Sequence, residues 1–121
     1  MTRRSAAWTL RLTHAADADF QDILVWTVER FGARQARTYA TTLTRAISAL
    51  TSGPTVTGVR AREDLGPGVA TLHVARGRRK GRHLIVFRAR IERDEHVIDV
   101  LRVLHDTMDL SRHLDRPEGE S

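Results

Sequence analysis

The chain has no cysteine, one lysine, one tyrosine and three prolines in 121 residues. Without thiols it can form no disulfide, run no thiolate chemistry and build no cysteine-based zinc site. No apolar run approaches the length of a membrane span. The opening Met1-Thr-Arg-Arg-Ser-Ala-Ala7 lacks the apolar core of a secretory signal. A soluble protein of the cytoplasm, with no membrane contact, is the expectation. The nucleotide strings G-x-x-x-x-G-K-[ST] and G-x-G-x-x-G are also missing, and Gly66-Pro67-Gly68 reads as a turn because Pro67 removes an amide. The six histidines are scattered, with no helical H-x-x-x-H pair, so no metal and no cofactor is expected.

What the chain does hold is arginine. Nineteen of its twenty basic residues are Arg, and Lys80 is the exception. Residues 60–93 carry ten basic and three acidic side chains, a net of +7, whereas the whole chain is only +5. Planar, bidentate donors are therefore concentrated where an acidic or phosphate partner would sit. At 40% hydrophobic and 29% charged, the composition is that of a globular domain. The length suits one domain over residues 1–121, with an ordered core over about 8–114 and a polar tail, 115–121, that frays.

Trp8-Thr-Leu-Arg-Leu-Thr13 alternates apolar and polar residues, the pattern of a half-buried strand. Thr13 suits a helix N-cap, and Asp17 and Asp19 suit the positive end of the helix that follows. Phe20, Ile23, Leu24, Thr27, Val28 and Phe31 recur on one helical face, and Gly32 ends it. A second helix over about 34–50 has the stripe Ala36, Tyr39, Ala40, Leu43, Ala46, Ile47 and Leu50. So short a link predicts an antiparallel helical hairpin whose apolar faces need a sheet. Residues 51–68, broken by Gly53-Pro54, Gly58 and Gly66-Pro67-Gly68, read as loop. Strands follow at 69–75, 83–90 and 96–104, joined by Arg76-Gly-Arg-Arg-Lys-Gly-Arg82 and by a turn through Glu92-Arg-Asp-Glu95. The order β-α-α-β-β-β predicts an α+β fold, a helical hairpin packed on a mainly antiparallel four-stranded sheet.

One string carries more polar groups than a strand exit requires: Arg102-Val-Leu-His-Asp-Thr-Met-Asp-Leu-Ser-Arg-His-Leu114. It resembles the C-terminal signature R-V-L-H-x-x-M-D-x-x-R-H-L of the ParE branch of the RelE/ParE toxins. Two further stretches fit the same family in order and spacing. Leu12-Thr-His-Ala-Ala-Asp-Ala-Asp-Phe-Gln-Asp-Ile23 is similar to its L-x-x-A-x-x-D-L-x-x-I helix start, and Trp26-Thr-Val-Glu-Arg-Phe-Gly32 to its aromatic-then-Gly helix end. His83-Leu-Ile-Val-Phe-Arg88 precedes the last motif. The resemblance spans about residues 8–114. It departs at His14, where Pro is common, and at the 76–82 loop, which is longer and more basic than usual.

The resemblance implies a small RelE/ParE-like toxin, neutralised by a cognate antitoxin whose C-terminal segment wraps it. The ParE branch implies inhibition of DNA gyrase without catalysis. The RelE branch implies a ribosome-dependent mRNA endonuclease. A non-toxic relic that only binds antitoxin and co-represses its operon is the third reading. A ribbon-helix-helix antitoxin, a toxin–antitoxin hetero-oligomer and contact with operator DNA only through the antitoxin go with the first and third.

Cleavage of RNA needs a general base, a general acid and cations on the phosphate. The candidates are His105 and His113, with Arg88 or Arg102 on phosphate; a local turn hydrogen bond is the plainer role for His105. The lone Tyr39 lies on a helix's apolar face and Lys80 in a loop, so the sequence favours a gyrase inhibitor with no catalytic residue. Arg102, His105, Arg112 and His113 are then target-binding candidates, with Arg76, Arg78, Arg79 and Arg82 of the basic loop. An ion pair of Arg102 with Asp106 or Asp109 is the structural alternative. The loop could bind nucleic-acid phosphates, with a solvated charge run as the plainer alternative; it has no aromatic for base stacking, which favours an acidic protein partner or attraction to a gyrase–DNA complex. Trp26 lies roughly 130° from the centre of its helix's stripe at 100° per residue, beside Asp22, Glu29 and Arg30. Trp26, Asp22 and Arg30 are the antitoxin-binding candidates; cover by the C-terminal turn is the alternative for Trp26.

Overall fold

The computed structural model describes residues 7–77 and 79–114; Arg78 and the 115–121 tail lie outside the described residues. Strand β1 (Thr9–Leu12) leads into helix α1 (His14–Phe31) and helix α2 (Ala33–Ala49). Strands β2 (Arg60–Ala61), β3 (Val69–His73), β4 (His83–Glu92) and β5 (Glu95–His105) follow, and a short helix α3 (Leu110–His113) comes after them. The strand order is β1-β5-β4-β3-β2, with β1 parallel to β5 and the other pairs antiparallel.

The sheet has five strands, where the sequence predicted four. The addition is β2, inside the segment read as loop: Arg60 and Ala61 pair with Thr71 and Ala70. Two exposed residues give no alternating signal. They extend because the outer edge of β3 offers backbone partners, and a short edge strand satisfies them.

Thr13 does two jobs. Its hydroxyl oxygen accepts the Ala16 amide, capping α1, and its hydroxyl donates to the Leu101 carbonyl of β5 at 2.8 Å. The cap thus fixes where α1 starts over the sheet. Gly32 alone separates the helices, at φ 93°, a conformation that favours glycine. Its amide donates to Val28 and its carbonyl accepts from Ala36, so one residue ends α1 and begins α2.

The α2 stripe is buried as expected: Ala36, Leu43, Ala46, Ile47 and Leu50 are covered, and most of them pack with Leu72, Ile85, Phe87, Ile98 and Val100 of the sheet. Each such Leu, Ile or Phe contributes roughly 1.5–3 kcal/mol. The α1 stripe differs. Phe20, Ile23 and Leu24 pack on the core, but Val28 and Phe31 are 45% and 63% exposed. Thr27 is buried, but nothing among the described residues covers Val28 and Phe31, which spacing alone could not reveal.

The β4–β5 ladder shifts register between Val86 and Phe87: Val86 faces Arg102 while Phe87 faces Val100. Leu101 is the extra residue of this bulge. It resets the alternation, so Val100 and Val103, three apart, both reach the helix-side core, and Leu104 joins Val69, Val86 and Leu110 in a second cluster. The expected Glu92–Glu95 turn is made by Arg93 and Asp94, both with positive φ, the type I′ pattern suited to strand twist.

Candidate functional site

The candidate residues converge where β5 leaves the sheet. β1 pairs with β5 only from Val97 to Val100, so the following residues lack a strand on that side. Asp19 of α1 takes the place of a strand. Its carboxylate accepts Arg102 Nε at 2.8 Å, Arg102 Nη2 at 2.9 Å and the Val103 amide at 2.9 Å. Arg102 also donates to the His113 carbonyl at 3.0 Å. Arg102 thus ties β5 to α1 and α3, and among the described residues it pairs with Asp19, not with the neighbouring Asp106 or Asp109.

His105 closes the turn that follows. Its Nδ1 lies 2.8 Å from Thr107 Oγ1 and accepts the Thr107 amide at 3.2 Å. Its ring packs edge-on against His83, 5.4 Å between centroids. His83 is held by Tyr39, whose hydroxyl lies 2.7 Å from His83 Nδ1 and accepts the Arg82 amide at 3.2 Å. With that amide on the Tyr39 oxygen, the phenol hydrogen is free to donate to Nδ1. Burial, aided by nearby His105, pushes the His83 imidazole down to about 4. At neutral pH His83 is therefore uncharged. Burial also pushes the Tyr39 phenol up.

Asp106 organises the far side. It is hydrogen-bonded to His73 Nε2 at 2.9 Å and to the Arg82 guanidinium at 3.2 Å. Those two partners, Arg82 first, hold its carboxyl down at about 2. His73 Nδ1 accepts the Ala75 amide. His73 and His105 each accept a backbone amide at Nδ1, and the His83 Nδ1 is paired with the Tyr39 hydroxyl.

Two adjoining concavities open here. One, of about 550 Å³, is lined by Asp22, Ile23 and Trp26 of α1 with His83, His105 and Met108. The other, of about 220 Å³, brings Asp22, His83, Arg102, His105 and His113 together. Trp26 is 51% exposed, so the C-terminal turn does not cover it. Arg30 lies over its ring at 5.1 Å, and Phe31 meets it edge-on. Arg112 is exposed on α3.

Other candidates lie elsewhere. Arg88 of β4 donates to the Pro67 carbonyl, just before β3. Arg82 is bound to Asp106, while Arg76 and Arg79 face α2. Asp19, Tyr39, His73, His83 and Asp106 were not among the site residues expected from sequence. Tyr39 offered a signal: a half-buried phenol needs a hydrogen-bond partner. Among the described residues no group of His, Asp and Glu is arranged to hold a metal ion, and no helix is long and apolar enough to cross a membrane.

The family model described as "ParE toxin of type II toxin-antitoxin system, parDE" matches residues 10–110. The chain belongs to the ParE toxin family. It is 34% identical over 103 residues to Toxin ParE1 of Mycobacterium tuberculosis, from strains CDC 1551 / Oshkosh and H37Rv, covering 85% of this chain and 94% of that one. Toxin ParE1 of Caulobacter vibrioides is 28% identical over 107 residues, covering 86% and 95%. Among solved structures, the chromosomal ParDE system of P. aeruginosa gives a TM-score of 0.64 at 23% identity, covering 84% of this chain and 98% of that one. The toxin–antitoxin complex RelBE2 of M. tuberculosis gives 0.54 at 22%, covering 84% and 94%. Family membership makes this chain a toxin of a type II toxin–antitoxin system with the RelE/ParE fold.

Proposed function

We propose that this ParE-family toxin inhibits DNA gyrase by binding rather than by catalysis, in the cytoplasm. The observation that supports the non-catalytic half is the engagement of His105, whose Nδ1 accepts the Thr107 amide. That lone pair is unavailable to a general base, and the His83 Nδ1 is engaged with the Tyr39 hydroxyl. His105, Arg112 and His113 then act as contacts to the target, while Arg102 positions the segment that bears them.

Its proposed partner is a cognate antitoxin, of ribbon-helix-helix type, forming a hetero-oligomer that meets operator DNA through the antitoxin. Trp26, with Asp22 and Arg30 beside it, is the anchor on the toxin side. Trp26 and His105 line the same concavity. An antitoxin segment seated on Trp26 therefore covers His105, which couples binding to neutralisation.

The test is induction of the chain without antitoxin, scoring chromosomal DNA breaks and plasmid supercoiling beside mRNA decay. Gyrase-linked DNA damage with intact mRNA is expected. Ribosome-dependent mRNA cleavage would favour the endonuclease reading, for which the edge-on His83–His105 pair is the relevant geometry. Unimpeded growth would favour a relic.

A further inference from the structure

A second functional surface lies on the other helix, away from the β5 exit. α1 holds Asp17, Asp19, Asp22 and Glu29 against Arg30, a net of −3. α2 holds Arg34, Arg37 and Arg45 and no acid, a net of +3. Arg45 of α2 faces Arg76, Gly77 and Arg79, and a cleft runs between them.

The cleft consists of two concavities, of about 560 and 590 Å³, that share Thr42, Arg76 and Arg79. Arg45 lines the first and Thr38 and Lys80 the second. No carboxylate lines either among the described residues. Arg11, Arg62, Arg82, Arg90 and Arg102 are each ion-paired. Arg45, Arg76, Arg79 and Lys80 have no carboxylate partner among the described residues. Arg76 reaches the Thr57 carbonyl and Arg79 the Thr42 hydroxyl, both at 3.4 Å. Uncompensated cations crowded in one cleft repel each other, and an anion relieves that repulsion.

We propose that this cleft binds the phosphodiester backbone of a nucleic acid, without reading its sequence. Guanidinium, ammonium and hydroxyl donors along two joined concavities suit a row of phosphates better than one free anion. The apolar lining is Ala46, Ala49 and Val74, too small to anchor a peptide side chain in the way protein partners are held. Tyr39 borders the cleft, but its hydroxyl is engaged with His83 and the Arg82 amide. The cleft would hold the toxin on nucleic acid while the β5 exit meets its protein target. The inference does not depend on gyrase being that target.

The test uses the purified full chain, free of antitoxin, and the fluorescence anisotropy of labelled probes over a salt series. The probes are duplex DNA of two unrelated sequences, single-stranded RNA and a polyglutamate peptide. Binding to nucleic acid is expected, equal for the two sequences, with log affinity falling linearly in log salt. The DNA and RNA arms identify which backbone is preferred. Arg45→Ala/Arg79→Ala should weaken binding about tenfold or more and make the slope shallower by roughly 0.7–0.9 per cation removed. Arg60→Ala, on the exposed edge strand, should change little. Circular dichroism melts on the same samples verify folding, and Arg45→Gln/Arg79→Gln serves if the alanine pair is unstable. No nucleic-acid binding, binding indifferent to both double variants, or polyglutamate bound as tightly through the same arginines would each overturn the proposal.

Discussion

Asp19 and Arg102, 83 positions apart, form a bidentate pair at 2.8 and 2.9 Å, and the same carboxylate takes the Val103 amide. The contact replaces a missing strand neighbour with a side chain from α1. It fixes the β5 exit, and so the placement of His105 and α3. Because both side chains are largely covered, removing one leaves the other charge poorly solvated. Asp19→Asn or Arg102→Ala should each cost about 1–3 kcal/mol, read from the urea midpoint. The double variant should cost less than the sum of the two. Strict additivity would mean that the pair is not coupled.

Trp26→Ala should weaken antitoxin binding by about 2 kcal/mol or more while shifting the melting temperature little. The ring is half exposed and rests on Arg30 and Phe31 rather than on the core. Titration calorimetry against the antitoxin's C-terminal segment, beside a thermal melt, separates the two effects. A collapse in stability with unchanged affinity would make Trp26 a structural residue.

His83 sets an acid limit on stability. Its folded value is about 4 against an ordinary 6.5, so the unfolded chain takes up this proton first as pH falls. Stability from this group is complete above pH 6.5, declines between 6.5 and about 4, and reaches its floor below that. The groups acting on the ring are His105, Asp106, His73 and Asp19. Asp106, held down at about 2, stays ionised throughout this window. His83→Gln should therefore flatten the decline in urea midpoints between about pH 7 and pH 5. An equally steep decline in the variant would assign it to other histidines.

Arg112→Ala/His113→Ala should fold, bind antitoxin and lose most toxicity. Both residues are exposed on α3, and only the His113 carbonyl, which the substitution keeps, contacts Arg102. The lost interactions would be charge-assisted contacts to the target. Growth inhibition per folded molecule measures this, and full toxicity would move the active surface to the basic loop.

The parts of this fold legible in the sequence are those written in local chemistry. Thr13 as a cap, Gly32 between two helices, the α2 stripe and the alternating strands follow from spacing and residue type. The two-residue β2 was not legible, because it exists only to pair β3. Nor was the bulge at Leu101, since an extra residue in one strand shows only against its partner. At the site, the C-terminal string marked the right place but not the partners. Arg102 finds Asp19, and Tyr39 finds His83 44 positions away. Tyr39 read as core because its helix face is apolar, yet its hydroxyl reaches past that face to the end of β4.

The most direct measurement adds the purified full chain to DNA gyrase, ATP and relaxed plasmid, with a parallel reaction of translating ribosomes and labelled mRNA. Loss of supercoiling that tracks toxin concentration and is reversed by antitoxin, with intact mRNA, is the predicted result. Undiminished supercoiling with mRNA cut on the ribosome would contradict the account and return His105 and His113 to a catalytic role.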